Sequence, residues 1–314
     1  MKILVTGAAG FIGYHLSQLL ADLGEEVVGF DNFNNYYQTS LKYDRKHYLN
    51  RSGVNVKTLD LISADLLTEF ISQEAPDLVV HLAGYAGVRD SINNPFNYIN
   101  NNIVGTQNLI EACKKADVQR VLYASTSCVM VGNPLPWKES DKLNHQLNPY
   151  GYSKACNESQ FMCSQIPTTI GMRFFTVYGP WGRPDMALFN FTKRIIEGNG
   201  IDIYNYGQMS RDFTYVDDIV QGILLLLDHR KGEAFHEIYN IGHGNPVSLM
   251  EYVKSIEEHL GIEAHKTFLP KHPADAEKTW ADVSKIKSLG WEPKVSVHEG
   301  VGEFVDWYKS YYGY

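Results

Sequence analysis

Few cysteines, no long apolar run and no basic tract occur in this sequence. The four cysteines, Cys113, Cys128, Cys156 and Cys163, are scattered through 314 residues. None stands two residues from another, and no histidine cluster has ligand spacing. A disulfide scaffold or a zinc module is therefore excluded, no metal is expected, and reduced thiols in a cytoplasmic protein are predicted. The longest apolar run, Ile223 to Leu227, falls far short of the roughly 20 residues that span a bilayer. The first residues, MKILVTGAAG, read as a strand entering a loop and not as a signal peptide, so no membrane association is expected. Lysines and arginines number 28 against 36 aspartates and glutamates, and the net charge of −8 is spread along the chain. A nucleic-acid surface is not expected from such a balance. Repeats, low-complexity tracts and linkers are also missing.

What is present is a regular alternation. With 44% hydrophobic residues the chain can bury a core for one large or two fused domains. Strands are predicted at Lys2–Val5, Glu26–Phe30, Val54–Leu59, Leu78–His81, Arg120–Ala124 and Thr168–Phe174. Helices are predicted at Phe11–Leu23, Ala64–Gln73, Pro95–Lys115 and Pro149–Gln165. Strands that alternate with helices imply right-handed crossovers and a parallel sheet. The predicted class is α/β, a Rossmann doubly wound parallel sheet with a smaller mixed α/β substrate-binding domain. After residue 175 glycine, proline and aromatic residues thicken and the alternation fades. The boundaries predicted are 1–174 for a cofactor domain, completed by parts of 212–243, and 175–314 for a substrate domain. The helix Tyr215–Leu227 and the strand Ile238–Ile241 are expected to return to the first domain.

Gly7-Ala8-Ala9-Gly10-Phe11-Ile12-Gly13 joins the first strand to the first helix. Glycines there permit a tight turn and close approach to a pyrophosphate, and the helix N-terminus offers free N–H groups and a favourable dipole. The motif has the context it requires, a strand before it and a helix after it. Asp31 ends the second strand, where a carboxylate accepts from adenosine ribose hydroxyls and repels a 2′-phosphate, so the cofactor predicted is NAD. Asp60, after the third strand, is placed at the adenine amine. Asn32, Asn34, Leu61, Leu82 and Ala83 complete the expected cofactor contacts.

Tyr150 and Lys154 stand four residues apart, on one face of a helix. A tyrosine with a reference pKa of about 10 needs about 4 kcal/mol of help to ionise near pH 7. A neighbouring ammonium and a cationic nicotinamide both favour phenolate. Lys154 is also expected on the nicotinamide ribose. Just ahead, Ala124-Ser125-Thr126-Ser127-Cys128 puts hydroxyls at a strand's carboxyl end, where open α/β sheets bind ligands. Thr126 is the residue expected on the reacting sugar oxygen.

The glycine motif, Thr126, Tyr150 and Lys154 resemble the extended short-chain dehydrogenase/reductase family. Longer segments narrow the resemblance: Phe174 to Ala187 (FFTVYGPWGRPDMA), Asp31 to Tyr37 (DNFNNYY), Ala86-Gly87-Val88-Arg89 and Arg211-Asp212-Phe213-Thr214-Tyr215. Together these are similar to the UDP-glucuronate 4-epimerases over nearly the whole chain. The resemblance implies NAD-dependent inversion at C4 of UDP-glucuronate through a transient 4-keto sugar, giving UDP-galacturonate. It implies that Thr126, Ser127 and Thr176 hold the substrate carboxylate with Arg183 nearby. Arg89, Arg211 and Asp275 would form the UDP-handling region, Arg211 on the diphosphate and Asp275 on the uridine ribose, with Ile203 and Tyr204 where the uracil packs and Cys128 on one wall of the site. It also implies a homodimer built on the helices near 95–115 and 149–165.

Related decarboxylases carry Glu after the Thr-Ser pair, and related dehydratases carry Asp-Glu. Ser127 and Cys128 stand there instead, which counts against both. The sequence departs from the family at Cys128-Val129-Met130-Val131, where Ser-Val-Tyr-Gly is usual, at Ala83-Gly84 in place of Ala-Ala, and at Pro273-Ala274-Asp275-Ala276 in place of Pro-Gly-Asp-Val. Cysteine keeps the size of serine but is the poorer donor. The alternatives left open are a UDP-glucose/UDP-galactose 4-epimerase, a UDP-glucuronate decarboxylase and an NAD-sensing protein without catalysis.

Overall fold

The computed structural model describes residues 1–143, 145–230 and 232–314. Elements run in the order β1 (Lys2–Thr6), α1 (Phe11–Asp22), β2 (Glu26–Asp31), α2 (Thr39–Arg51), β3 (Asn55–Thr58), α3 (Ala64–Glu74) and β4 (Leu78–His81). Then come α4 (Val88–Asn93), α5 (Pro95–Tyr98), a π-helical turn at Ile99–Val104, α6 (Gly105–Lys115), β5 (Arg120–Thr126), α7 (Pro149–Met162) and β6 (Thr168–Phe174). The remainder is β7 (Thr176–Tyr178), α8 (Ala187–Ile196), β8 (Ile201–Ile203), β9 (Ser210–Arg211), β10 (Phe213–Tyr215), α9 (Val216–Leu227) and β11 (Phe235–Ile241). After it follow β12 (Val247–Ser248), α10 (Leu249–Leu260), β13 (Lys266–Phe268), α11 (Ser284–Lys287) and α12 (Val297–Tyr312).

Seven strands form one parallel sheet in the order β11-β6-β5-β4-β1-β2-β3. This is the α/β Rossmann arrangement expected from the alternation. Side chains leave a strand on alternate faces, and the two faces are covered separately. Leu4, Phe30, Val79 and Tyr123 pack with Leu67, Ile71, Leu109 and Ile110 of α3 and α6. Ile3, Val5, Val80 and Leu122 pack with Leu16, Leu20, Ile219 and Ile223 of α1 and α9. Burial on both faces explains why the central strands read as unbroken apolar runs. Each such side chain contributes about 1.5–3 kcal/mol on leaving water. β11 pairs with β6 from Phe235 to Ile241, three residues longer than the strand expected there.

The structure departs from the sequence reading in definite places. α2 was not expected, because its inward face mixes Leu41 and Leu49 with Lys42 and Arg45 and carries little apolar period. The helix predicted over Pro95–Lys115 contains a π turn, which carries Asn102 into the interior. The helix from Pro149 stops at Met162 instead of Gln165, whose φ of +64° lies outside helical space. The helices α8 and α12 pack through aromatics; Phe189, Phe304, Trp307 and Tyr308 form one continuous cluster. No helix among the described residues is long and apolar enough to cross a membrane.

Candidate active site

The chain changes direction between β1 and β4, so the loops after these strands diverge and open a crevice. A cavity of about 820 Å³ lies there, running from the turn after β1 to the loops around β9 and residue 275. Gly7 and Gly13 explain how the turn closes. Gly7 has φ +70°, and a Cβ on Gly13 would stand 2.1 Å from the Gly7 carbonyl oxygen. Only glycine lets α1 begin so close to the strand it follows. Gly10 starts α1 without any side-chain cap, so N–H groups of the first turn face the cavity unclaimed by a capping group. A pyrophosphate fits that end.

Asp31 is 7% exposed at the end of β2 and accepts from the Phe33 amide at 2.8 Å. Burial pushes its pKa up, while Lys42, at 3.8 Å, pulls it down. Asp60 accepts from Asn32 Nδ2 at 2.9 Å and from the Ile62 amide at 3.1 Å. Asn34 accepts from the Lys42 ammonium at 2.9 Å. Phe11, Ile12, Asn32, Asn34, Asp60, Leu61, Leu82 and Ala83 line the cavity with the glycines. The uncapped turn, the acid at the end of β2 and the room between them suit an adenine dinucleotide.

At the middle of the cavity α7 presents Tyr150 and Lys154. Asn148 caps the helix by accepting from the Gly151 amide at 2.8 Å, and Pro149 occupies its first turn. Lys154 donates to the Ala124 carbonyl at 3.1 Å, and burial pulls its pKa down to about 8. Tyr150 is pushed up to about 12, mainly by burial and by Cys128, while the Thr126 hydroxyl and Arg183 pull it the other way. Without a bound cation the phenol is thus harder to ionise than free tyrosine, contrary to a simple tyrosine–lysine pair. Thr126 ends β5 and accepts from the Cys128 amide at 3.2 Å. Below this strand end a buried ion pair fixes α7: Glu158 accepts from Arg173 Nε at 2.9 Å and from the Ser125 hydroxyl at 2.6 Å.

The far end gathers residues distant in sequence. Arg89 binds the Asp275 carboxylate at 2.7 Å and lies over the Tyr204 ring at 3.9 Å. Arg211 donates to the carbonyls of Ser210 and Glu277, and burial lowers its pKa against the pull of Asp275. Ser127, Cys128, Thr176 and Arg183 line the wall between Tyr150 and this cluster. Burial opposes the Arg183 charge, but Asp185 outweighs it and raises the pKa. Arg183 Nε donates to Asp185 at 3.0 Å, and the Tyr36 hydroxyl donates to the same carboxylate at 3.3 Å.

Among the residues expected at the site, Ile203 is the exception. It is fully buried in the core, while its neighbours Asp202 and Tyr204 line the cavity. Alternation along β8 sends Ile203 to the opposite face. Lys42, Tyr36 and Asp185 were not singled out, though they touch Asp31, Arg183 or each other. Lys42 sits on a helix without an apolar signature. Asp185 and Tyr36 lay inside segments read only as family likeness.

The sequence matches the NAD dependent epimerase/dehydratase family over residues 3–242. CapI of Staphylococcus aureus is 43% identical over 333 aligned positions, with 99% of each chain covered. UDP-glucuronate 4-epimerase 1 of Arabidopsis thaliana is 40% identical, covering all of this chain and 78% of its own. The crystal structure of UDP-glucuronic acid 4-epimerase from Bacillus cereus, in complex with UDP-glucuronic acid and NAD, has a TM-score of 0.92 at 36% identity, covering 99% of this chain and 100% of that one. An uncapped glycine turn, an acid closing β2 and a Tyr150/Lys154 pair under a hydroxyl-bearing strand end thus agree with whole-length likeness, and this chain belongs to the NAD dependent epimerase/dehydratase family.

Proposed function

We propose that the protein is a UDP-glucuronate 4-epimerase that produces UDP-galacturonate. The observation that carries the reading is the cavity itself. One end suits a dinucleotide, the other gathers Arg89, Arg211, Tyr204 and Asp275, and Tyr150 stands between them beside Thr126. Residues 1–174, completed by parts of 212–243, would hold NAD, and 175–314 would hold the UDP-sugar. NAD, when bound, supplies the hydride acceptor and the positive charge that Tyr150 lacks without it. Tyr150 takes the C4 hydroxyl proton and returns it after the 4-keto sugar has turned over. Lys154 orients the ribose of the cofactor, and Thr126 holds the reacting oxygen. Arg211 offers a fork for the diphosphate, and Asp275 accepts from the uridine ribose.

A 4-keto uronate is a β-keto acid and tends to lose carbon dioxide. Thr126, Ser127 and Thr176, with Arg183 nearby, would hold its carboxylate out of the cleaving geometry. Replacing all three hydroxyl residues with alanine is expected to release UDP-pentose beside epimer; a triple variant that still epimerises and yields no pentose would overturn the holding role. Four free thiols agree with a cytoplasmic location. A homodimer is supported by exposed Phe96, Val104 and Met162 on the outer surface of α5, the π turn and α7.

The deciding experiment is incubation of the purified protein with UDP-glucuronate and no added NAD, read by NMR. UDP-galacturonate without carbon dioxide is the expected result. Release of carbon dioxide, or turnover of UDP-glucose alone, would replace this reading with decarboxylation or neutral-sugar epimerisation. Tyr150→Phe should cut turnover about 10²–10⁴-fold while NAD still binds; an unchanged rate would overturn the assignment of the base.

A further inference from the structure

Arg45 is fully buried on α2, yet its hydrogen-bond acceptors are all neutral oxygens. One terminal nitrogen donates to the Ala9 carbonyl at 3.0 Å and to the Tyr37 hydroxyl at 2.8 Å. The other donates to the carbonyls of Trp181 and Gly182. Its Nε has no hydrogen-bond partner among the described residues. Burying a cation on neutral acceptors is costly, and a core built for stability alone would carry an apolar residue here. What the guanidinium joins gives it a use. Ala9 belongs to the glycine-rich turn. Trp181 and Gly182 belong to a strap, Gly179–Gly182, that leads directly into Arg183 and Asp185 on the cavity wall.

The strap does not hold its shape by local preference. Trp181 has φ +57°, which side-chain-bearing residues rarely adopt. Its ring packs on Tyr14 of α1 and Tyr48 of α2, and His15 bonds the Pro180 carbonyl at 2.9 Å. Tyr14 reaches the turn as part of α1, its amide donating to the Gly10 carbonyl at 3.0 Å, whereas Arg45 grips the turn from a second element, α2, through the Ala9 carbonyl. Tyr37, which accepts from Arg45, adjoins Tyr36, which donates to Asp185.

We propose that Arg45 is a positioning residue that couples the glycine-rich turn to the strap, so that a dinucleotide on the turn sets the place of Arg183 and Asp185. The activity arm of its test rests on the function proposed above; the binding arm does not. Hydrogen exchange of residues 179–186 is measured with and without NAD, in wild type, Arg45→Met and Arg45→Lys, beside calorimetric titration of NAD. In wild type NAD should slow exchange of 179–186 at least threefold. Arg45→Met should bind NAD and protect β1 and α1 but lose the protection at 179–186. Its KM for UDP-glucuronate should rise about tenfold with kcat changed less than threefold. Arg45→Lys keeps the charge but has no fork to reach both carbonyl sets, and should fall between. Wild-type exchange indifferent to NAD, or full protection retained in Arg45→Met, overturns the proposal. If Arg45→Met does not fold, the wild-type and lysine arms decide it. NAD-dependent protection that needs Arg45, in a protein that fails to turn over UDP-glucuronate, would support the coupling while refuting the substrate.

Discussion

Lys154 shows what burying a cation costs at the level of one side chain. Burial lowers its pKa from 10.5 to about 8. The unfolded chain keeps the proton up to its own higher pKa, whereas the folded chain releases it above about 8. Between these values the unfolded state binds more protons, so stability rises with pH there and is lowest below the window. At about 1.36 kcal/mol per pKa unit, the cost at neutral pH is about 3 kcal/mol. Lys154→Met removes the charge and one hydrogen bond to Ala124, itself worth about 1 kcal/mol. The variant should therefore be about 2 kcal/mol more stable than wild type at pH 7, with the gap closing toward pH 10. Urea unfolding across this range, without cofactor, measures it; a gap independent of pH would refute the argument. Tyr150 and Lys154 drew notice from their spacing together with the strand before them; one helical turn puts both on one face, and both line the cavity. Arg45 and Lys42 escaped, since cations on a polar helix look solvated until the fold encloses them. The placement of Ile203 failed by one residue for a reason internal to strands: the side-chain period is two.

At the scale of elements, the place of Tyr150 and Lys154 depends on how α7 is seated. Asn148 caps its start, and Asn102, brought inward by the π turn, donates to the Ser153 hydroxyl at 2.9 Å and the Tyr85 carbonyl at 3.0 Å. Glu158 anchors its far half on Arg173 and Ser125. Removing one partner of a buried ion pair strands the other, at about 3–5 kcal/mol. Glu158→Ala should lose that much stability, and the urea midpoint should fall accordingly. A loss below about 1 kcal/mol would mean that water or a rearranged neighbour accommodates Arg173. These supports were not legible beforehand. The pattern of apolar residues reports helix and strand, but a π turn or a buried pair leaves no periodic trace.

At the scale of the molecule, the proposed dimer makes Val104 a sensitive point. It is 45% exposed in the π turn, near Gln107 and Gln160, whose amides are joined at 3.0 Å. A buried glutamate there would have no partner. Val104→Glu should therefore convert a dimer into a monomer at micromolar concentration, read by light scattering, with NAD binding retained. A monomeric wild type, or a Val104→Glu variant that remains dimeric, would remove this face from consideration.

By itself the sequence determined the alternation of strands and helices, the turn at Gly7–Gly13, the acid closing β2 and the Tyr150/Lys154 spacing. All are local properties, set within a few residues by backbone geometry and period. The tertiary structure alone decided that Arg89 would meet Asp275, 186 residues away, that Arg45 would reach both Ala9 and Trp181, and that Tyr36 would reach Asp185. Such contacts depend on which loops the strand order brings to the crevice, and loop positions follow from packing between segments that carry no local signal for one another.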